Sequence, residues 1–286
     1  MKITAGMRAA LRKFIYSDQR YCSPRVALFL IENDFQDIAK RVGNRMLFTA
    51  RDKIELEKAL KQELNSNIFQ VDLNQSRLDV AKHVHNEKLA KVNPDQDYVL
   101  LRSLHGPLDI FNPPFSLPNG SSLRIGIKHL LLDNIKRILV VENLVAFDHI
   151  EQANFPDDFE VDIVLYRGHG ISNSGTNNLL QSISTNTEVV AFTDYDPKGV
   201  DIAFHLPNVT RWLYPQYYND INKWSSLSDY SRQHSNLNYL LTLAELESSG
   251  PITTLLKHQL SIKQEHMLAH NLKLEEADVF APNKSN

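Results

Sequence analysis

An acidic pair closes one of the most apolar runs of the sequence. The stretch VVAFTDYDPKG, residues 189–199, reaches Asp194 and Asp196 and then turns at a proline and a glycine. A spacing of two points both carboxylates the same way if the segment is still extended. Like charges at the edge of an apolar core are costly unless a cation neutralises them or they share a proton. The pair is therefore a candidate site for a hard divalent cation, Mg²⁺ or Mn²⁺.

A third carboxylate follows another apolar run. In RILVVEN, residues 137–143, Glu142 comes directly after the apolar residues. Between the two acidic points lies YRGHG, residues 166–170, whose glycines let backbone approach a ligand closely. Each acid also has a plainer interpretation. Asp-x-Asp before proline and glycine is often only a turn that caps a helix, and a glutamate in a first helical turn is favoured by the helix dipole. The combination at two strand ends favours a metal site.

The elements that would position these acids alternate along the second part of the chain. Strands are predicted at 135–141, 161–167, 188–196 and 209–215, with helices at 142–152, 175–185 and 198–206. Continuous apolar strands separated by helices are typical of a parallel sheet, and its carboxyl edge is where ligands bind. We therefore predict an α/β domain from about 123 to 218. Helices follow over 225–274, one of them beginning at Pro251, and the tail from residue 275 is predicted to fray.

The N-terminal part has a different pattern. Residues 5–65 are predicted to be mainly helical, including a helix from Phe35 to Val42 that stops at Gly43. A helix-turn-helix or winged-helix arrangement fits, although short amphipathic helices occur in many folds. Another helix is predicted over 76–91 and a strand over 97–104. The Pro- and Gly-rich stretch 106–122 is the best candidate boundary, which gives an N-terminal DNA- or partner-binding region, 1–110, and a second domain, 120–274.

Charge and composition restrict the class of protein. The net charge is −3, yet residues 1–65 carry 13 Lys and Arg against 8 Asp and Glu. This excess of positive charge fits either a nucleic-acid-binding region or an ordinary solvated surface. A single cysteine, Cys22, excludes an internal disulfide framework and a thiolate zinc site. The sequence contains no run of about 18 apolar residues, the length needed to span a bilayer, and its N-terminus lacks the pattern of a secretory signal. We expect a cytoplasmic protein that does not associate with membranes.

The order of these signals resembles a known family. A glutamate after a hydrophobic strand, a glycine-bearing strand end and then Asp-x-Asp resemble the Toprim domain of topoisomerases, primases and several nucleases. VVEN and FTDYDPKGVDIA resemble more closely the nuclease subunits of Wadjet plasmid-defence systems (JetD, also called MksG) and, more distantly, type IIB topoisomerase A subunits. The segment IKQEH, residues 262–266, is similar to a Glu-Gln-Glu helix that follows the domain. The resemblance covers about residues 120–270.

The resemblance implies a Rossmann-like Toprim fold and a metal-dependent DNA nuclease. It implies one or two divalent cations held by Glu142, Asp194 and Asp196, with Glu265 as a further ligand. The partners it implies are double-stranded DNA and an ATPase complex of the structural-maintenance-of-chromosomes (SMC) type. A second copy of the chain is expected if both strands are cut. The sequence also offers cations that could contact phosphate, each of which could equally be a plain surface charge. They are Arg167, Lys198, Arg77, Lys82 and Lys88.

Three alternatives remain open. A topoisomerase A subunit would cleave through a tyrosine, and Tyr16 and Tyr21 lie in a basic stretch. A haloacid-dehalogenase phosphatase also uses Asp-x-Asp after a strand, but it expects a Thr or Val where Pro197 and Lys198 stand and a later acidic pair. A DNA-binding subunit without catalysis would keep the acids only as structure.

Overall fold

The computed structural model of the chain forms two compact units, Met1–Pro94 and Asp95–Asn286. The residues it describes are 3–64, 69, 71, 73–83, 89–90, 92–93, 95–169, 173–218, 220–247 and 250–279. Across those ranges, each helix is too short or too polar to cross a bilayer.

The first unit combines helices with a short hairpin. Its helices are α1 (Ala5–Ile15), α2 (Pro24–Glu32), α3 (Ala50–Glu63) and α4 (Arg77–Ala81), and its strands are β1 (Lys40–Val42) and β2 (Arg45–Leu47). The side chain of Ser23 caps α2, and Thr49 and Asp52 form a reciprocal capping box that begins α3. The mainly helical prediction is confirmed for this part of the chain.

The predicted helix from Phe35 to Val42 is wrong. Residues 36–38 form a single 3-10 turn, and the chain then enters the β1–β2 hairpin. Gly43 has a φ of 62°, which a glycine adopts without strain and which permits the tight turn between the strands. Phe35, Ile38 and Ala39 do lie at or against the core. Val42, in contrast, is 41% exposed, so the contacts with the core end before the predicted helix would have ended.

The second unit is built on a mixed sheet. Its strands are β3 (Tyr98–Arg102), β4 (Leu123–Gly126), β5 (Arg137–Val141), β6 (Ile163–Tyr166), β7 (Glu188–Phe192), β8 (Arg211–Pro215) and β9 (Leu274–Asp278). Within the described residues they form one seven-stranded sheet in the order β4-β3-β6-β5-β7-β8-β9. The central strands β6, β5, β7 and β8 are parallel, whereas β3, β4 and β9 add on antiparallel. The α/β prediction is confirmed, and the parallel arrangement is limited to these central strands.

Helices connect and flank the parallel strands. They are α5 (Leu144–Asp148), α6 (Ser174–Ser182), α7 (Pro197–Phe204), α8 (Leu227–Arg232), α9 (His234–Glu247), α10 (Pro251–His258) and α11 (Gln264–Ala269). The residues of β5 from Ile138 to Val141 and of β7 from Val189 to Phe192 are almost completely buried. This burial explains their continuous apolar sequence, since strands covered on both faces have no polar face to present.

Two expectations about the ends of the second domain do not hold. The Pro- and Gly-rich stretch 106–122 belongs to the second unit, because Leu108 and Ile110 are buried in its core, and the division between units lies at residues 94 and 95. The tail predicted to fray instead begins with β9, which pairs along β8 from Arg211↔Asp278 to Pro215↔Leu274. Residues 280–286 lie outside the described residues.

The long helix predicted from Pro251 is interrupted. Helix α10 ends at His258, and Gln259 adopts the left-handed conformation at a φ of 51°. Residues 260–263, which we call the strap, then cross to the end of β7 before α11 begins. Ile262 in the strap exchanges two backbone hydrogen bonds with Tyr195, with N···O distances of 2.8 and 3.1 Å. The strap therefore lies beside the acidic pair.

Candidate functional site

Glu142 and Asp194 meet at the carboxyl ends of two neighbouring strands. Glu142 directly follows β5 and Asp194 lies just beyond β7, and these strands pair in parallel register with Val141 opposite Phe192. One carboxylate oxygen of Glu142, Oε2, accepts a hydrogen bond from the backbone N–H of Asp194 at 3.3 Å. The side chains of Glu142 and Asp194 are 16% and 18% exposed, so both carboxylates are mostly shielded from water. We call the position of these two acids the recess. The expected convergence of these two acids is present in the structure.

Asp196 has a different environment, because it is only 1% exposed and is surrounded by donors. Its Oδ1 accepts the backbone N–H of Gly199 at 2.8 Å and thereby caps α7. Its Oδ2 accepts from Gln233 Nε2 at 2.8 Å, Lys263 Nζ at 2.8 Å and Ser261 Oγ at 3.3 Å. Three of these four donors fall on Oδ2, which leaves that oxygen no free lone pair, while Oδ1 is engaged by the cap. The helix-cap interpretation therefore describes this residue correctly.

Lys263 joins the two aspartates. Its Nζ lies 3.0 Å from Asp194 Oδ2 and 2.8 Å from Asp196 Oδ2. Burial disfavours the ammonium, but the two carboxylates outweigh it and hold the pKa of Lys263 above its ordinary value. Sequence reasoning missed this residue because a lone lysine before Gln-Glu carries no motif. The preceding interruption of the helix, which brings the lysine to the site, has no glycine or proline to signal it.

Gln264 fixes the two strand ends to each other. Its buried side chain donates from Nε2 to the carbonyl of Phe192 at 3.0 Å and accepts the N–H of Asn143 at 2.8 Å. Its own backbone N–H donates to Asp194 Oδ1 at 2.9 Å. Glu265, the next residue, accepts from Asn143 Nδ2 at 2.8 Å. The first turn of α11 therefore lies against both acids, and Glu265 reaches the neighbour of Glu142.

Arg167 is the predicted phosphate contact that lies nearest to the acids. Its Nη2 is 3.7 Å from Glu142 Oε1, and its buried Nε has no hydrogen-bond partner among the described residues. Gly168, immediately after it, has a φ of 86°, which requires a glycine and turns the chain away from β6. Lys198 is exposed in the first turn of α7. Gly170 of the YRGHG stretch lies outside the described residues.

The remaining predicted DNA contacts belong to the first unit. Arg77 and Lys82 are exposed at α4, where Lys82 Nζ pairs with Asp79 Oδ1 at 2.8 Å. Helix α4 lies within the helix predicted over 76–91, of which residues 84–88 and 91 are outside the described residues. Lys88 lies outside the described residues.

Tyr16, proposed as an alternative nucleophile, is held in its neutral form. Its hydroxyl donates to Glu57 Oε1 at 2.6 Å. Burial and this hydrogen bond to a carboxylate raise the pKa of Tyr16 to about 12. A nucleophilic tyrosine benefits from the opposite shift. Tyr21 is 46% exposed and forms an isolated antiparallel bridge with Leu47.

Glu142 and Asp194 are in an environment that disfavours their negatively charged forms. Burial, followed by the negative charge of Asp194, raises the pKa of Glu142, and Arg167 only partly opposes this shift. Burial also raises the pKa of Asp194, although Lys263 lies beside it. Carboxylates in such a recess are stabilised by a cation.

The donor set fits a single hard cation better than a cage of three carboxylates. A cluster of three or more His, Cys, Asp or Glu side chains suited to a metal is absent from the described ranges. Asp196 is 1% exposed and accepts from four donors, whereas Glu142 and Asp194 are more exposed and retain lone pairs that the described donors do not fill. Two carboxylates with water and phosphate oxygens are a common environment for Mg²⁺. Glu142 and Asp194 are therefore the residues suited to hold the ion.

In EDTA, Glu142→Gln is expected to have a higher free energy of unfolding than the wild type at neutral pH. A raised carboxyl pKa means that the native state binds the proton more tightly than the unfolded state does. The stabilisation from this group is therefore complete below the ordinary glutamate pKa and is lost as the pH rises through the native pKa. The advantage of the variant should vanish in acid and grow as the pH rises. Urea unfolding at a series of pH values measures it.

The matched control for this comparison is Glu245→Gln on the exposed face of α9, where the same substitution removes no buried charge. A Glu142→Gln variant that is less stable than the wild type at neutral pH would contradict the argument. It would mean that the contact with Arg167 outweighs the cost of burying the charge.

Comparison with protein families finds one match. Residues 96–276 match the family model described as a domain of unknown function, DUF7281. The match covers more than half of the chain, including the whole of the site described above, so the chain belongs to this family. Comparison with curated proteins gives no significant match.

Proposed function

We propose that this member of the DUF7281 family is a divalent-metal-dependent DNA nuclease with a Toprim-like site. The observation that carries the proposal is the meeting of Glu142 and Asp194 at the carboxyl ends of adjacent parallel strands, with Oε2 and N only 3.3 Å apart. Ligand sites of open α/β sheets lie at this edge. Burial raises the pKa of both acids even though Arg167 and Lys263 lie beside them, so a further cation would stabilise their charged forms.

The residues around the recess have separate roles in this proposal. Glu142 and Asp194 hold Mg²⁺ or Mn²⁺, which when bound supplies Lewis-acid stabilisation of the charge on a phosphodiester undergoing hydrolysis. Asp196 stays buried, caps α7 and orients Lys263. The guanidinium of Arg167, whose Nη2 lies 3.7 Å from Glu142 Oε1, contacts a phosphate oxygen through a terminal nitrogen, because it has donors beyond the one facing Glu142.

The partners follow from the resemblance of the sequence to the Wadjet nuclease subunits. We include in the proposal a double-stranded DNA substrate, an SMC-type ATPase complex and a homodimer, the last because cutting both strands is served by two copies of one site. The corresponding biological role is defence against plasmids or phage in the cytoplasm.

The test is incubation of the purified chain with supercoiled plasmid in Mg²⁺ or Mn²⁺ and, separately, in EDTA. Nicked or linear DNA is expected only with the cation. Glu142→Ala and Asp194→Ala should abolish cleavage, because each removes a ligand of the ion. The exposed control Glu245→Ala should cut at the wild-type rate.

Several results would contradict the proposal. Unchanged cleavage by Asp194→Ala, or cleavage in EDTA, would show that the acids do not hold a catalytic ion. A covalent protein–DNA adduct that disappears in Tyr21→Phe would establish tyrosine chemistry instead. Hydrolysis of small phosphomonoesters without DNA cleavage would establish a phosphatase. Absence of both cleavage and Mn²⁺ binding would favour a non-catalytic subunit in which the acids have only a structural role.

A further inference from the structure

Lys263 is held in place by the backbone around it, not merely by its own charge. The strap residue Ile262, which precedes it, pairs with Tyr195 through two backbone hydrogen bonds, and Gln264, which follows it, is completely buried. Ser261 donates to Asp196 from the same strap. The ammonium is thus presented to Asp194 and Asp196 by residues anchored on both sides of it, although 37% of the lysine side chain remains exposed.

A tethered ammonium competes strongly with dissolved cations. Because Lys263 is part of the chain, its effective concentration at the aspartate pair does not fall when the chain is diluted. Its contacts of 3.0 and 2.8 Å have the geometry of charge-assisted hydrogen bonds. A divalent ion entering between the two aspartates would have to displace this ammonium or lie beside it against the repulsion of two positive charges.

The balance of charge around the recess also leaves room for one ion. The three carboxylates of Glu142, Asp194 and Asp196 face two cationic side chains, Lys263 and Arg167. One negative charge is left uncompensated, and it lies on the Glu142 side, since Arg167 is 3.7 Å away while Lys263 makes close contacts. The four donors around Asp196 close off the other side.

We propose that Lys263 is a fixed cation that occupies the position between Asp194 and Asp196, so that the site binds a single divalent ion, between Glu142 and Asp194. This inference rests on the proposed nuclease function and specifies its metal content. In this arrangement the lysine takes the place that a second metal ion would have in balancing the charge of a bound phosphate.

The test is the stoichiometry of Mn²⁺ binding to the full chain, measured by calorimetry, with electron paramagnetic resonance to detect coupled ions. The wild type should bind a single Mn²⁺. Lys263→Ala should bind a second one, coupled to the first, because the aspartate pair then lacks a cation. Lys263→Arg, which keeps the charge, and Lys257→Ala, an exposed lysine at the end of α10, should each bind a single ion.

The outcomes separate this inference from the proposed function. Two ions in the wild type would overturn the inference whether or not Lys263→Ala folds. The same stoichiometry in wild type and Lys263→Ala, with metal-dependent cleavage intact, would overturn it alone, since the aspartates would then share a proton instead. No Mn²⁺ binding by either protein, together with no cleavage, would overturn the nuclease proposal itself.

Discussion

Gly199→Ala is expected to destabilise the second unit by about 4 kcal/mol or more and to abolish Mn²⁺ binding. A Cβ at this position would lie 1.9 Å from the carbonyl oxygen of Asp194 and 2.8 Å from its carbonyl carbon. Both are backbone atoms, so no rotation of a side chain can relieve the overlap. Either α7 moves away from the end of β7, or Asp194 leaves its position beside Glu142.

The free energy of unfolding in urea and a Mn²⁺ titration measure the two effects. Gly126→Ala is the matched control in the same unit, because its Cβ would meet His129 Cδ2 at 3.4 Å and the carbonyl of Asp97 at 3.6 Å, both ordinary contacts. A Gly199→Ala protein that unfolds within about 1 kcal/mol of the wild type would mean that α7 and β7 are packed less closely than described.

Gln264→Leu is expected to cost about 2–4 kcal/mol, since it removes the partners of one buried and one partly buried backbone group. The carbonyl of Phe192 and the N–H of Asn143 both bond to this side chain, and leucine can satisfy neither. These groups lie immediately beside the two acids. Loss of the amide should therefore also weaken Mn²⁺ binding, although Gln264 itself is not proposed to touch the ion.

Urea unfolding of Gln264→Leu should be compared with that of Gln181→Leu, an exposed glutamine on α6 for which a change within about 0.5 kcal/mol is expected. If Gln264→Leu keeps wild-type stability, buried water or a local shift must satisfy both backbone groups. If it loses stability but keeps the Mn²⁺ affinity, the glutamine braces the fold without setting the geometry of the acids.

The sequence could predict the parts of the site that depend on local pattern. Apolar runs long enough to be buried on both faces marked β5 and β7, and acids directly after such runs had to lie at the ligand-binding edge. Glu142 and Asp194 were found in this way. Asp196 was found too, together with its possible role as a helix cap, but its contacts with Gln233, Ser261 and Lys263 join distant parts of the chain and no local pattern encodes them.

The parts that could not be predicted depend on distant contacts or on unfavourable local conformations. Gln259 adopts a left-handed conformation that is unusual for a glutamine. The sequence therefore gives no sign that the helix beginning at Pro251 ends at His258. Strand β9 looks like a charged tail in the sequence because it is rich in acidic residues. In the fold these acids are compensated across the sheet, where Glu276 pairs with Arg137 and Asp278 with Arg211. The burial of Leu108 and Ile110 likewise turns a stretch of loop composition into part of a core.

The position of the strap along the chain has a consequence for how the protein is made. Lys263 stands 69 residues after Asp194, so a ribosome releases the paired carboxylates well before their counter-ion exists. Until then, the lysine cannot offset the cost of burying the two carboxylates, whose charged forms stay favourable only while water solvates them. The recess thus matures late in translation, and a chain that stops short of the strap would carry its acids without the lysine that balances them.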